Sequence, residues 1–399
     1  MLDELDQHGR VVRLDQAAAS ALADTGLVEV QPRGGDEWLL LPCGRVGAVC
    51  SSDLQVQVNP KESVGVSKLI FLLGYAADPG FRPEEVCGGD EPELWAALAE
   101  SLARLAERAL ARGVPHGYRT VDESLRTVRG RIRMGDQISR RPGLMIPLEV
   151  SHDEFTPDIA ENRILRSALR RMLGVPRIGV DMRARLAHLD ARLPGVTPLR
   201  PRELPPRWFP SRLNERCQPA LRLAEVILRN VSAQAGPGGV PVAAFVVSMW
   251  KVFEDFVTTA LAEALRHFPG TTHAQYPSSL DEPRPGRTKG DIPMRVDVAH
   301  VLGGRPVLVF DAKYKAAGSG NYPNADQYQM LAYCTALRLN RAWLIYAQGD
   351  SAPVERQVRN SPVRIVEYPL DLGNSPLQIL SQIDTLARTA WHHSCDDCQ

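Results

Sequence analysis

The sequence predicts a multidomain α/β protein: a β-rich N-terminal region, a helical middle region and a C-terminal mixed sheet flanked by helices. Three observations predict it. The chain has 399 residues, more than a single core usually organises. Its apolar periodicity changes along the way, from short β-like runs to helical spacing and then to strands alternating with helices. The segment SAQAGPGGVP at 232–241 has linker composition and marks a boundary. The expected domains are residues 1–115, 116–235 and 236–399.

The elements follow in order. LVEVQP, EWLLLP, RVGAVC and LQVQVNP, within residues 1–60, are β-leaning runs broken by Gly, Pro and Asp, with a short helix near Ala17–Ala23. VGVSKLIFLLGYAA at 64–77 is helical and apolar on most sides, hence buried. Residues 92–112 repeat apolar positions at helical spacing. TVRGRIRM at 127–134 reads as a strand with basic side chains on alternate positions. Thr156-Pro157-Asp158 is a cap signal for the helix ENRILRSALRRML, whose acid comes early and whose arginines come later, as the helix dipole prefers. Further helices are expected over about 180–191 and 211–230, joined by the proline-rich PLRPRELPPRWFP. A long helix over about 242–267 then leads into a strand near HAQYP, a polar loop at 281–291, and two strands that flank Gly303-Gly304, a hairpin signal. A loop GSGNYPN, a helix ADQYQMLAYCTALRL, the strands RAWLIYAQ and VRIVEYPL and a helix near 376–390 complete the chain.

Composition narrows the class. Charged residues make up 24% and hydrophobic residues 44%, which excludes a disordered or collagen-like chain. No apolar run reaches the length of a spanning helix, and the start MLDELDQHGR is too acidic and polar for a secretory signal, so no membrane association is expected. Seven scattered cysteines suit a reduced cytoplasmic protein. The tail carries His392, His393, Cys395 and Cys398, a zinc-capable set, but a frayed polar terminus is the plainer reading. The formal net charge of zero averages unlike parts: −10 over residues 1–100, +11 over 101–230 and −1 over 231–399. A basic middle segment points to an anionic partner, although solvated helix faces would give the same tally. Only 6 of the 47 basic residues are lysines, so the pair Lys313 and Lys315 stands out.

That pair lies in the strand RPVLVFDAKYK. Strand side chains two apart share a face, so Asp311, Lys313 and Lys315 point one way and Leu308, Phe310, Ala312 and Tyr314 the other. On the preceding strand Asp297 stands between Val296 and Val298. Two carboxylates on paired strands beside a lysine make an anionic pocket suited to Mg²⁺, which takes one or two carboxylates and substrate phosphate. A salt-bridge ladder on an edge strand would use the same residues. The apolar run VLVF argues instead for an internal strand, where charges must be paired or bound to metal. Glu254, in FEDF of the preceding helix, is a further candidate carboxylate, and Gln329 and Tyr333 are four apart and share a helix face.

At these residues the chain resembles a known family. Asp297, then Asp311-Ala312-Lys313, then Gln329-x-x-x-Tyr333, preceded by a helical Glu254, is similar to the PD-(D/E)xK nuclease core. The fuller run, DAKYK followed by DQYQMLAY, resembles the McrC family, nuclease subunits of McrBC modification-dependent restriction systems. RVGAVC, VNPK, SKLIFLLGYA, VRGRIR, the ENRILRSALRRML helix and MWKVFEDFV look like McrC landmarks in the right order, from about residue 45 onward. The family usually has proline before the first acid; here Val296 precedes Asp297, and proline would supply no metal-binding atom.

The resemblance implies a PD-(D/E)xK-like C-terminal domain and Mg²⁺-dependent cleavage of modified double-stranded DNA. Asp297, Asp311, the Ala312 carbonyl and Glu254 would hold the ion, Lys313 would position the attacking water, and Gln329 and Tyr333 would orient phosphate or lysine. It also implies a ring-forming, McrB-like AAA+ GTPase as partner, engaged through the N-terminal region. The chain itself has no G-x-x-x-x-G-K-[ST] nucleotide loop, which fits a motor supplied in trans. Two other readings are a non-catalytic activator of an AAA+ motor and a stand-alone DNA repair nuclease.

Overall fold

The computed structural model describes the chain apart from residues 1, 5, 7, 52–53, 62–63, 83–92, 202, 236–240, 285–289, 315–323, 348–351 and 397–399. Lys315, Cys87, Cys398, residues 285–289 of the expected loop at 281–291 and all but the last residue of GSGNYPN therefore lie outside the described residues. The chain forms two compact units, residues 1–97 with 235–399, and residues 98–234.

The first unit begins with β1 (Leu2–Asp3), β2 (Arg10–Arg13), α1 (Gln16–Thr25), β3 (Val28–Gly34), β4 (Glu37–Pro42), β5 (Arg45–Cys50), β6 (Gln55–Asn59) and α2 (Gly65–Ala77). The expected β-rich start is observed. Asp15 caps α1 by accepting the Ala18 N–H, and Gly26 ends it in the left-handed conformation, the ordinary pairing of start and stop residues. β2, β4 and β3 form a small antiparallel sheet in that order. The chain leaves this unit within α3 (Leu94–Leu110).

The second unit holds β7 (Gly117–Leu125), β8 (Arg131–Ile132), α4 (Met134–Arg140), β9 (Leu148–Thr156), α5 (Ala160–Leu173), α6 (Val180–Ala191) and α7 (Gln218–Asn230). It is less uniformly helical than the sequence suggests, because β7, β9 and β8 form an antiparallel sheet in that order. The strand expected at 127–134 shrinks to Arg131–Ile132, since α4 starts at Met134. Asp158 does not cap α5: its carboxylate accepts the Thr197 N–H at 2.7 Å, and the N-cap position is Ile159.

The chain returns through β10 (Val231–Ala235), then β11 (Pro241–Ser248), α8 (Met249–Leu265), β12 (Thr271–Ser279), β13 (Pro293–Leu302), β14 (Arg305–Lys313), α9 (Asn324–Leu337), β15 (Arg341–Ala347), β16 (Val354–Gln357), β17 (Arg364–Leu370) and α10 (Pro376–Asp396). The long helix expected over 242–267 is a strand followed by a helix. The run AAFVVS pairs antiparallel with β5, from Ala243 opposite Cys50 to Ser248 opposite Arg45. Backbone pairing with a distant strand overrides local helical spacing here. This pairing is why residues from the first and last thirds of the chain share one unit, with β1, β6, β5 and β11 side by side.

The main sheet has the order β12-β13-β14-β15-β17-β16. β13 and β14 form the expected hairpin, closing at Leu302 opposite Arg305. β14, β15 and β17 run parallel, and β15 is buried along its whole length, as a strand covered on both faces should be. Met330, Tyr333 and Cys334 of α9 pack on Val296, Val309, Leu344 and Tyr346 at one face. α8 and α10 cover β14 on the other face. Each large side chain buried here contributes roughly 1.5–3 kcal/mol. Among the described residues no helix is long and apolar enough to cross a membrane.

Candidate active site

The second acid of the sequence motif sits where the fold hides it best. β14 is internal, and Asp311 is 0% exposed. Alternation places Asp311 and Lys313 on the α9 side of the sheet, and Lys313 Nζ lies 2.6 Å from Asp311 Oδ2. Apart from Lys313, the Asp311 carboxylate meets no hydrogen-bond donor among the described residues. Asp297 stands on the neighbouring strand, where its Oδ2 accepts the Ala312 N–H at 3.0 Å. The two acids and the lysine are therefore brought together.

Burial pushes the Asp311 carboxyl up to about 7, Asp297 pushes the same way, and Lys313 only partly offsets them. Lys313 is pulled down by burial, but Asp311, Asp297 and Asp326 outweigh that and raise it, so its ammonium stays charged. An isolated ion pair would lower its acid. Here burial, and after it the second carboxylate, outweigh the lysine at Asp311.

Glu254 lies on α8 with its Oε1 2.7 Å from Gln275 Nε2 and 3.2 Å from Lys251 Nζ. Burial and then Asp297 raise its carboxyl, so it is within electrostatic reach of Asp297. Gln329 and Tyr333 share a face of α9: Gln329 Nε2 donates to the Tyr333 hydroxyl at 2.6 Å, and that hydroxyl donates to the Arg295 carbonyl at 2.5 Å. Burial, then Asp311, raises the Tyr333 phenol well above its ordinary range, so it stays protonated. Its bond to Arg295 ties α9 to the strand that carries Asp297.

Two neighbours escaped the sequence reading. Asp326, in the first turn of α9, is buried and accepts from the Tyr346 hydroxyl at 3.4 Å, while Tyr346 pairs with Lys313 across β14 and β15. Helical spacing could have found it, because it stands three residues before Gln329 on DQYQ. Gln275 bridges Glu254 and Asp297, at 2.7 and 3.3 Å, and no periodicity in the sequence announces it.

Among the described residues no three His, Cys, Asp or Glu side chains converge as a ready-made metal site. The available oxygen donors are instead the side chains of Asp297 and Asp311, the latter a buried carboxylate with unused acceptor capacity. That chemistry fits a hard divalent cation that keeps several waters and takes further oxygens from a phosphate. A buried carboxylate in this condition is costly to the fold unless a cation or proton compensates it.

The family model for the McrBC 5-methylcytosine restriction system component matches residues 43–347. No curated protein matches the chain. Among solved structures, one similar chain is in the refined half-complex from a tetradecameric assembly of Thermococcus gammatolerans McrB AAA+ hexamers with bound McrC. It is 20% identical with a TM-score of 0.55, and the match covers 90% of this chain and 84% of that one. Another is in the cryo-EM structure of the Thermococcus gammatolerans McrBC complex, at 22% identity and a TM-score of 0.38, covering 61% of this chain and 72% of that one. The first likeness, to the McrC subunit, shows a shared fold.

Proposed function

The chain belongs to the McrBC 5-methylcytosine restriction system component family, and from that premise we propose that it is the McrC-like endonuclease subunit of such a system. It cleaves modified double-stranded DNA by Mg²⁺-dependent phosphodiester hydrolysis, working in the cytoplasm with an McrB-like AAA+ GTPase ring whose hydrolysis it stimulates. The C-terminal sheet and helices then correspond to a PD-(D/E)xK nuclease core. The observation that carries the reading is Asp311: a fully buried carboxylate, beside Asp297 and Lys313, with acceptor capacity that no donor apart from Lys313 uses among the described residues.

Asp297, Asp311 and the Ala312 carbonyl, with Glu254 beside them, would hold Mg²⁺. When bound, the ion supplies a Lewis acid for the phosphoryl oxygens and lowers the pKa of water. The remaining work falls to the chain's own groups. Lys313 stays charged beside Asp311, so its ammonium can orient an attacking water and stabilise charge that develops on the phosphoryl group. Tyr333 and Gln329 present a hydroxyl and an amide at the same face, suited to holding phosphate or fixing the lysine. The arginine-rich residues 101–230 add a basic surface for DNA phosphate or for the ring.

The test is cleavage of methylated against unmethylated DNA in Mg²⁺, with and without an McrB-like partner and GTP. Cutting that needs both the metal and the partner supports the reading. Failure to cut under every condition removes the catalytic part of it, and robust cutting without any partner favours a stand-alone nuclease.

A further inference from the structure

We propose that Gln275 is a positioning residue for the metal-binding carboxylates: its side-chain amide couples Glu254 to Asp297 and fixes the orientation in which Asp297 meets the cation. The inference rests on the metal-dependent reading of the site given above. Gln275 lies in β12 between Ala274 and Tyr276, which pair with Val298 and Val296 of β13, so it stands beside Asp297. An amide nitrogen has two protons. Here Nε2 directs donation to Glu254 Oε1 at 2.7 Å and to Asp297 Oδ1 at 3.3 Å. The other Asp297 oxygen accepts the Ala312 N–H. Asp297 is thus held at both oxygens, by a main-chain donor on one side and by Gln275 on the other, and each oxygen keeps further acceptor capacity. Glu254 also takes Lys251 Nζ, so α8 anchors the far end of the bridge.

The backbone supplies a separate indication. Gln275 has φ +49° inside a strand, in the left-handed region that side chains other than glycine, Asn and Asp rarely enter. Strand pairing continues in register on either side of it. Outliers of this kind persist where the surroundings hold them, and they concentrate at functional sites. The residue type also matters. Lysine or arginine here would cancel the negative charge that recruits a cation, and an apolar residue would leave two carboxylates without their shared donor. A neutral amide fixes both and keeps the charge.

The experiment measures Mn²⁺ binding to the full chain, without DNA, by the paramagnetic resonance signal of the free ion. Gln275→Gly removes the amide at a backbone conformation that glycine adopts freely, so the fold is spared. Gln275→Asn keeps the amide but withdraws it by one methylene. Loss of a group that orients a metal ligand typically weakens binding about tenfold or more. Gln275→Gly is expected to bind Mn²⁺ about that much more weakly, with an unchanged unfolding midpoint, Gln275→Asn falling between it and the parent. Cleavage by Gln275→Gly should recover at saturating Mg²⁺. Parent-like Mn²⁺ affinity in Gln275→Gly overturns the proposal. Asp311→Asn separates the two levels. If it abolishes binding while Gln275→Gly does not weaken it, only the role of Gln275 fails; if neither weakens binding, the metal site fails with it.

Discussion

Asp311→Asn should stabilise the metal-free protein while destroying the proposed cation site. Asp311 is completely buried, and its carboxyl is pushed from 3.8 up to about 7 by burial and by Asp297, against the opposing pull of Lys313. A pKa unit corresponds to about 1.4 kcal/mol, so ionising this group in the fold costs at most about 4 kcal/mol. The folded value lies above the unfolded one. Its favourable contribution is therefore present below about pH 4 and is lost as pH rises through about 7. Asparagine has nearly the shape of the protonated acid and does not titrate. In urea unfolding with EDTA, parent and variant should be nearly equal at pH 4, and the variant should gain at most about 4 kcal/mol by pH 8. Adding Mg²⁺ at pH 8 should then stabilise the parent and leave the variant unchanged. A variant no more stable than the parent at pH 8 in EDTA would refute the reasoning, because the buried charge would not be the burden inferred.

Other substitutions probe the scaffold. Tyr333→Phe removes the bond to the Arg295 carbonyl and strands the Gln329 amide, and should cost about 1–2 kcal/mol in denaturant unfolding while leaving Mn²⁺ binding in place. Gly47 has φ +141°, and a Cβ there would overlap the Phe245 carbonyl oxygen of the paired strand. Gly47→Ala should therefore destabilise the first unit by about 3 kcal/mol or more, read as a lowered unfolding midpoint. Arg185 pairs with Glu100 at 2.7 Å and Glu107 at 2.6 Å, but all three side chains are about a third or more exposed. Arg185→Ala should cost about 1 kcal/mol or less, and less still in high salt.

The parts of the site that were legible in the sequence are those fixed by periodicity. Alternation along β14 put Asp311 and Lys313 on one face, helical spacing put Gln329 and Tyr333 on one face, and the Gly303-Gly304 turn paired the strands that carry the two acids. Asp326 obeys the same spacing, but its burial beside Tyr346 comes from the packing of α9 on β15, which local sequence does not signal. Gln275 was not legible: its position depends on a left-handed backbone in mid-strand, which local sequence does not signal. The fold followed the same pattern. Autonomous elements such as α2, α6 and β15 appeared where expected. AAFVVS, suited to either state, became a strand because β5 offered it hydrogen-bond partners from a region about two hundred residues away. The β7-β9-β8 sheet was obscured because its strands are rich in charged and polar residues and β7 is largely exposed, so no clear apolar alternation marks them.

The most direct measurement is the rate at which methylated DNA is cut in Mg²⁺ by the chain together with its GTPase ring, comparing the parent with Lys313→Ala at equal folded concentration. The ammonium beside Asp311 is the one charged donor that the mechanism assigns to water and phosphoryl oxygen. Its loss should slow cutting by at least about a hundredfold while GTP hydrolysis by the ring is still stimulated. Cutting by Lys313→Ala at the parent rate would contradict the catalytic assignment.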